Sequence, residues 1–203
     1  MIYLSRLVLD PKSRQVKSEL ADPYEMHRTL AKAFGDGSGE FAAARCLFRV
    51  DDHPLDDRPV VLVQSKTEPD WDTLAARQAY LTERPAVKAL ALSIRPDQRL
   101  AFRLLANPTV CREGKRHGLQ TEEDQIAWLQ RKGKAGGFRI VQVRVVDLGR
   151  CRAKHGSATF TRVRFDGTLI VVDPALLQDA LESGIGPAKG LGFGLLSLAP
   201  LRA

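Results

Sequence analysis

The chain has 203 residues, 44% of them hydrophobic, and a net charge of +7. That length allows one large domain or two small ones. No apolar run approaches the ~20 residues of a membrane span. Three widely spaced cysteines without a C-x-x-C pair and four scattered histidines argue against a disulfide framework or a zinc cluster. Met1 to Leu9 lacks the apolar core and cleavage site of a signal peptide, so a cytoplasmic location with no membrane partner is expected, and with no metal-ligand cluster no cofactor is expected.

The charge is uneven. Residues 1–95 hold 14 Lys+Arg and 14 Asp+Glu, whereas residues 96–203 hold 17 and 10. Within 131–164 ten basic residues face one acid, Asp147. A charge run is often only a solvated face. A one-sided basic field in a chain of this class also fits a nucleic-acid partner.

In chain order, Ile2 to Leu9 reads as a strand ended by Asp10-Pro11, and a polar loop follows. Asp22-Pro-Tyr-Glu-Met-His-Arg-Thr-Leu30 opens a helix. Asp22 is its N-cap, Pro23 suits the first helical position and Glu25 completes a capping box. Gly35 closes it. Met26, Leu30, Ala33 and Phe34 form the core face, with Tyr24, His27, Arg28 and Ala31 on the other side. Tyr24 and His27 are three apart, so their side chains are neighbours.

Arg45–Val50 and Val60–Gln64 read as strands, Trp71–Tyr80 as a helix and Val87–Ile94 as a strand. The order is βαββαβ, a ferredoxin-like unit over residues 1–94. Residues 95–98 read as a linker. Arg99–Leu105 reads as a strand, followed by a polar loop with Arg112, Lys115, Arg116 and His117. Thr121 caps a helix that ends at Arg131-Lys-Gly-Lys134, with acids at its positive end and cations at its negative end. Phe138–Leu148 alternates as a strand. Ala158–Phe165 alternates too, turns at Asp166-Gly167 and returns through Thr168–Val172. Asp173-Pro174 caps a last helix to Ser183. This is a second βαββαβ unit over residues 98–203 with an extra hairpin, so the fold class is α+β with tandem ferredoxin-like domains. The tip Arg150–Gly156 carries basic residues and little apolar surface, which suits a nucleic-acid groove. Trp71 and Trp128 sit among apolar neighbours and read as core.

Five of the eleven residues of Gly184-Ile-Gly-Pro-Ala-Lys-Gly-Leu-Gly-Phe-Gly194 are glycine. A P-loop needs lysine directly after its last glycine and then Ser or Thr, but Lys189 precedes Gly190. A dinucleotide fingerprint needs G-x-G-x-x-G leading into a long helix, and here the spacing is wrong and only a short apolar run remains. The loop therefore reads as a tight connection into a closing strand.

Tandem ferredoxin-like units with a glycine-rich loop before the final strand resemble the RAMP superfamily of CRISPR-associated RNA-binding proteins. Residues 22–30 resemble the catalytic helix of the CasE family, the pre-CRISPR-RNA endoribonucleases. Thr67-Glu-Pro-Asp-Trp71, Ala127-Trp-Leu with Gly136-Gly-Phe138, and the loop from Gly184 through Ser197 are further family signatures in the family's order. The basic loop at 150–156 departs from the family in being less lysine-rich.

The resemblance implies metal-independent cleavage of a repeat hairpin: the ribose 2′-OH attacks the adjacent phosphate, giving a cyclic phosphate and a free 5′-hydroxyl. It assigns His27 as proton shuttle and Tyr24 as a positioning group. Histidine suits the task because its ordinary pKa of about 6.5 lies near working pH. The resemblance assigns RNA binding to Arg131 and Lys132, to Arg150, Arg152 and Lys154 on the hairpin, and to Arg28 and Lys32 beside His27. One of the three hairpin residues, with Lys154 the first candidate, is also expected to face the scissile phosphate. Lys115, Arg116, Arg162 and Lys189 complete the basic candidates. The glycine loop is expected to lie close to the helix of His27. The implied partners are the pre-CRISPR-RNA repeat hairpin, mature CRISPR RNA and other Cascade subunits. The charge split and the fold fit a non-catalytic RAMP-like RNA-binding subunit equally well, and only the Tyr24/His27 pair separates the two readings. An RRM-type module is a further alternative, resting on Gly137-Phe-Arg-Ile-Val as a loose RNP box. His53, His117 and His155 read as loop residues without a catalytic role.

Overall fold

The computed structural model describes residues 1–35, 40, 43–53, 55–152 and 159–201. The chain divides into two compact units. Among the described residues, the first comprises Met1–Leu92 together with Gly190–Gly192, and the second holds the remainder.

The first unit builds a four-stranded antiparallel sheet from β1 (Ile2–Val8), β2 (Leu47–Asp52), β3 (Pro59–Ser65) and β4 (Ala86–Leu90), in the order β2-β3-β1-β4. That is the order of a ferredoxin-like sheet. The stretch read as a polar loop is instead a helix, α1 (Arg14–Ala21), capped by Ser13, whose hydroxyl accepts the Val16 amide. Its sequence is polar almost all round, and its buried residues are Val16 and Glu19. Asp22 joins α1 to α2 (Pro23–Ala31): its amide donates to the Ser18 carbonyl to close the first helix, and its carboxylate accepts the Tyr24 amide at 3.1 Å to open the second. The Asp22 amide therefore serves α1, and Glu25 pairs with Arg28 at 3.3 Å. Met26, Leu30, Ala33 and Phe34 are all buried, as the helical spacing requires.

The helix expected over Trp71–Tyr80 is only one turn, α3 (Asp72–Ala75). Ala79 takes a positive φ of 52°, which breaks the helical path. The apolar residues still reach the core: Trp71, Leu74 and Tyr80 are buried, and the Trp71 indole donates to Ser5 Oγ at 3.0 Å.

The second unit repeats the sheet order. β5 (Arg99–Ala106), β8 (Phe138–Arg152), β9 (Thr159–Val171) and β10 (Leu196–Pro200) pair as β10-β5-β9-β8, all antiparallel. The expected polar loop after β5 is a two-stranded hairpin of β6 (Thr109–Arg112) and β7 (Lys115–Gly118). α4 (Glu122–Ala135) starts at its Thr121 cap, and α5 (Pro174–Ser183) starts at Asp173, which accepts the Ala175 and Leu176 amides. Trp128 stacks on Phe165 inside this core, with ring centroids 6.2 Å apart.

Asp166-Gly167 is not a turn. β9 runs straight through it, pairing with β5 and β8 at once. Asp166 is fixed by Arg103 at 2.5 Å and Arg164 at 2.9 Å. A Cβ on Gly167 would stand 2.0 Å from the Gln142 carbonyl oxygen, beside the register shift at Ile140/Gln142. The glycine permits close approach of a bulged strand rather than a reversal.

Candidate active site

His27 lies on α2, whose direction is set by the Asp22 cap and by the buried apolar face. The second oxygen of the wholly buried Asp22 carboxylate has no hydrogen-bond partner among the described residues. The positive end of α2 is the charge that compensates it. Tyr24, one turn before His27, is 40% exposed. His27 is half-buried, and its ring meets the glycine loop within the first unit. A Cβ on Gly190 would lie 3.3 Å from Cε1 and 3.4 Å from Nδ1 of the imidazole. Burial pushes the His27 pKa below its ordinary value, and a hydrogen bond with the Gly190 backbone pulls the other way. A bond that favours the protonated ring is one in which the ring donates, so the Gly190 carbonyl is the acceptor. The net lowering favours the neutral ring, the state that accepts a proton.

The support beneath α2 is polar and was not visible in the sequence. The Glu19 carboxyl of α1, 5% exposed, accepts from Thr29 Oγ1 at 2.7 Å, from Gln15 Nε2 at 2.8 Å and from the Tyr80 hydroxyl. Burial, and then the bond to Glu19, hold the Tyr80 hydroxyl well above the usual phenol range. Arg28 and Lys32 are exposed and line a cleft of about 550 Å³ with Glu19, Asp22, Glu25 and Arg77.

Three of the basic candidates share a second cleft, of about 560 Å³, wholly within the second unit. Arg116 from β7, Lys132 from α4 and Lys189 from the glycine loop line it together with Trp128, Asp179 and Gly184–Pro187. The Lys132 ammonium sits 5.8 Å over the Trp128 ring. Lys115 and Arg131 are exposed, on β7 and α4 respectively. Arg150 and Arg152 are exposed at the far end of the β8–β9 ladder, opposite Thr161 and Thr159. Arg150 donates to Gln120 Oε1 at 2.7 Å. Arg162 is half-buried on β9. Lys154 and His155 lie outside the described residues.

His53, read as a loop residue, does follow the end of β2, but its side chain is only 7% exposed and its Nδ1 accepts the Leu55 amide at 3.3 Å. His117 lies on strand β7 rather than in a loop. Phe138 is 2% exposed in the core, so the loose RNP box has no aromatic there on which a base can stack. Among the described residues no group of three or more His, Cys, Asp or Glu side chains converges to hold a metal ion, and no helix is long and apolar enough to cross a membrane.

The family described as CRISPR associated protein matches this chain over residues 2–200. The chain belongs to that family. The CRISPR-associated endoribonuclease Cse3 of Thermus thermophilus is 40% identical, over 98% of this chain and all of the relative. The CRISPR system Cascade subunit CasE of Escherichia coli is 32% identical over the same shares. The structure of Thermus thermophilus Cse3 bound to an RNA representing a pre-cleavage complex is similar with a TM-score of 0.86, covering 98% of this chain and 99% of that one. Both relatives match essentially end to end, so the similarity covers the helix of His27 and the glycine loop alike.

Proposed function

We propose that this chain is a CRISPR RNA-processing endoribonuclease. It cuts the repeat stem-loop of pre-CRISPR RNA without a metal ion and holds the product for a Cascade complex. The observation that carries the chemistry is His27, a half-buried imidazole with a lowered pKa on a well-capped helix.

In the proposed reaction the neutral His27 ring removes the proton of the ribose 2′-hydroxyl. The 2′-oxygen forms a bond to the adjacent phosphorus, and the bond from phosphorus to the 5′-oxygen breaks. The products are a 2′,3′-cyclic phosphate and a 5′-hydroxyl, whose oxygen takes its proton from water while His27 releases the one it removed. Tyr24, 40% exposed one turn before His27, orients the ribose. Arg28 and Lys32 supply positive charge for the dianionic transition state. In the second unit, Arg150 and Arg152 hold the stem, while Arg116, Lys132 and Lys189 take backbone phosphates in their shared cleft.

Incubating labelled repeat hairpin with the protein in EDTA separates this reading from that of a non-catalytic RNA-binding subunit. Cleavage to two bands supports the enzyme. Binding without cleavage, in EDTA and in magnesium alike, supports the subunit.

The direction of the His27 shift fixes a pH dependence. A base works when deprotonated, and burial lowers the pH at which it deprotonates. The acidic limb of kcat/KM, which reports the free enzyme, should therefore have its midpoint below about 6.5, and activity should fall as pH drops through that midpoint. A midpoint at 7 or above would contradict a neutral, buried base.

For the stem contacts, the double variant Arg150→Ala/Arg152→Ala should weaken hairpin binding and reduce the slope of log K against log salt by about 2, one for each lost phosphate contact. An unchanged salt slope would move the RNA away from the β8–β9 end.

A further inference from the structure

Glycine at 190 is not explained by backbone conformation. Gly192 and Gly194 have positive φ of 83° and 87°, where side chains are strained, but Gly190 is not among the positive-φ residues. Alanine fits its backbone. What alanine does not fit is the neighbour: the Cβ position lies 3.3 Å from His27 Cε1 and 3.4 Å from Nδ1. Contacts this short are tighter than ordinary van der Waals packing, so an added methyl has to displace the ring or the loop.

From this geometry we infer that Gly190 is a positioning residue for the proposed proton shuttle. Its carbonyl accepts the Nδ1–H of His27, and its missing side chain lets the loop close on the ring. Two consequences follow. The ring carries its proton on Nδ1, so Nε2 presents the lone pair to the 2′-hydroxyl. The imidazole plane is also fixed before RNA arrives, so no ordering has to occur in the transition state. A turn late in the chain thus sets the chemistry of a helix near its start. The inference rests on His27 as the base, and it adds which nitrogen acts and what orients it.

The test has two arms. The first needs no variant: the ¹⁵N chemical shifts of the His27 imidazole in the full-length protein report its tautomer above its pKa. The Nδ1–H form is expected, and a dominant Nε2–H form overturns the assignment. The second is Gly190→Ala. Its single-turnover cleavage rate at saturating protein should fall by roughly 10–100-fold, as a misplaced ring predicts, with Kd for a 2′-deoxy, uncleavable repeat hairpin within about two-fold. The His27 ¹⁵N shifts should move toward a tautomer mixture, a change that a general loss of stability would not give. Wild-type cleavage by Gly190→Ala with unmoved shifts overturns the positioning role. If His27→Ala still cleaves, the fault lies with the base assignment instead, so the two failures are distinguishable.

Discussion

His27→Ala should lower single-turnover cleavage of a cognate repeat hairpin by roughly 10²–10⁴-fold, the range for loss of a general base, while Kd stays within a few-fold. Catalysis and binding should separate because the proposed mechanism gives them different groups. His27 is half-buried and its burial favours the neutral ring, so it should add little to the attraction for phosphate. That attraction is assigned to Arg116, Lys132, Arg150 and Arg152, and salt dependence follows the number of such contacts. Removing the imidazole takes away the proposed proton acceptor and leaves α2 in place. The helix is held by the Asp22 cap and by Met26 and Leu30, each 1% exposed. Full activity in the variant would remove His27 from the chemistry. A collapse of binding together with rate would mean that the ring is a structural or RNA-contacting group.

The second large effect is expected under α2. Glu19→Ala should destabilise the first unit by about 3 kcal/mol, read as a lower urea midpoint. The carboxyl accepts from Thr29 of α2, from Gln15 and from Tyr80, and Tyr80 is 1% exposed. Alanine leaves the Thr29 and Tyr80 hydroxyls buried without that acceptor, at about 1–3 kcal/mol for each orphaned group. Glu19→Gln keeps one acceptor oxygen and should lose less than half as much. Since Thr29 shares a helix with His27, the alanine variant should also cleave more slowly at temperatures where it is still folded. A loss below about 1 kcal/mol would mean that water replaces the carboxyl in this pocket.

These two sites mark what the sequence carries openly and what it hides. The helix of His27 is legible because its signals are local: Asp22 and Pro23 at the start, apolar residues every third or fourth position, Gly35 at the end. The sheet strands are legible from alternation, and with the order of elements they give the tandem ferredoxin-like arrangement. α1 is not legible. Its buried face contains Glu19, and an acid counts as surface in any pattern based on hydrophobicity. Asp166-Gly167 misleads for the opposite reason. It is a strong local turn signal, but β5 and β8 pair on either side of it and hold the strand straight. The polar run over Thr109–Gly118 likewise hides a hairpin, because exposed strands do not alternate in polarity. The meeting of Gly190 with His27 is a contact between residues far apart in the sequence. The loop is expected near the helix of His27, and the folded chain narrows that approach to Gly190 against the imidazole.

Cleavage by 2′-hydroxyl attack with a side-chain base leaves a distinctive pair of ends. The most direct measurement is end-group analysis of the products from a cognate repeat hairpin cleaved by the wild-type protein in EDTA. A 2′,3′-cyclic phosphate on the upstream fragment and a free 5′-hydroxyl on the downstream fragment are predicted. A 3′-hydroxyl with a 5′-phosphate, appearing only when magnesium is restored, would contradict it.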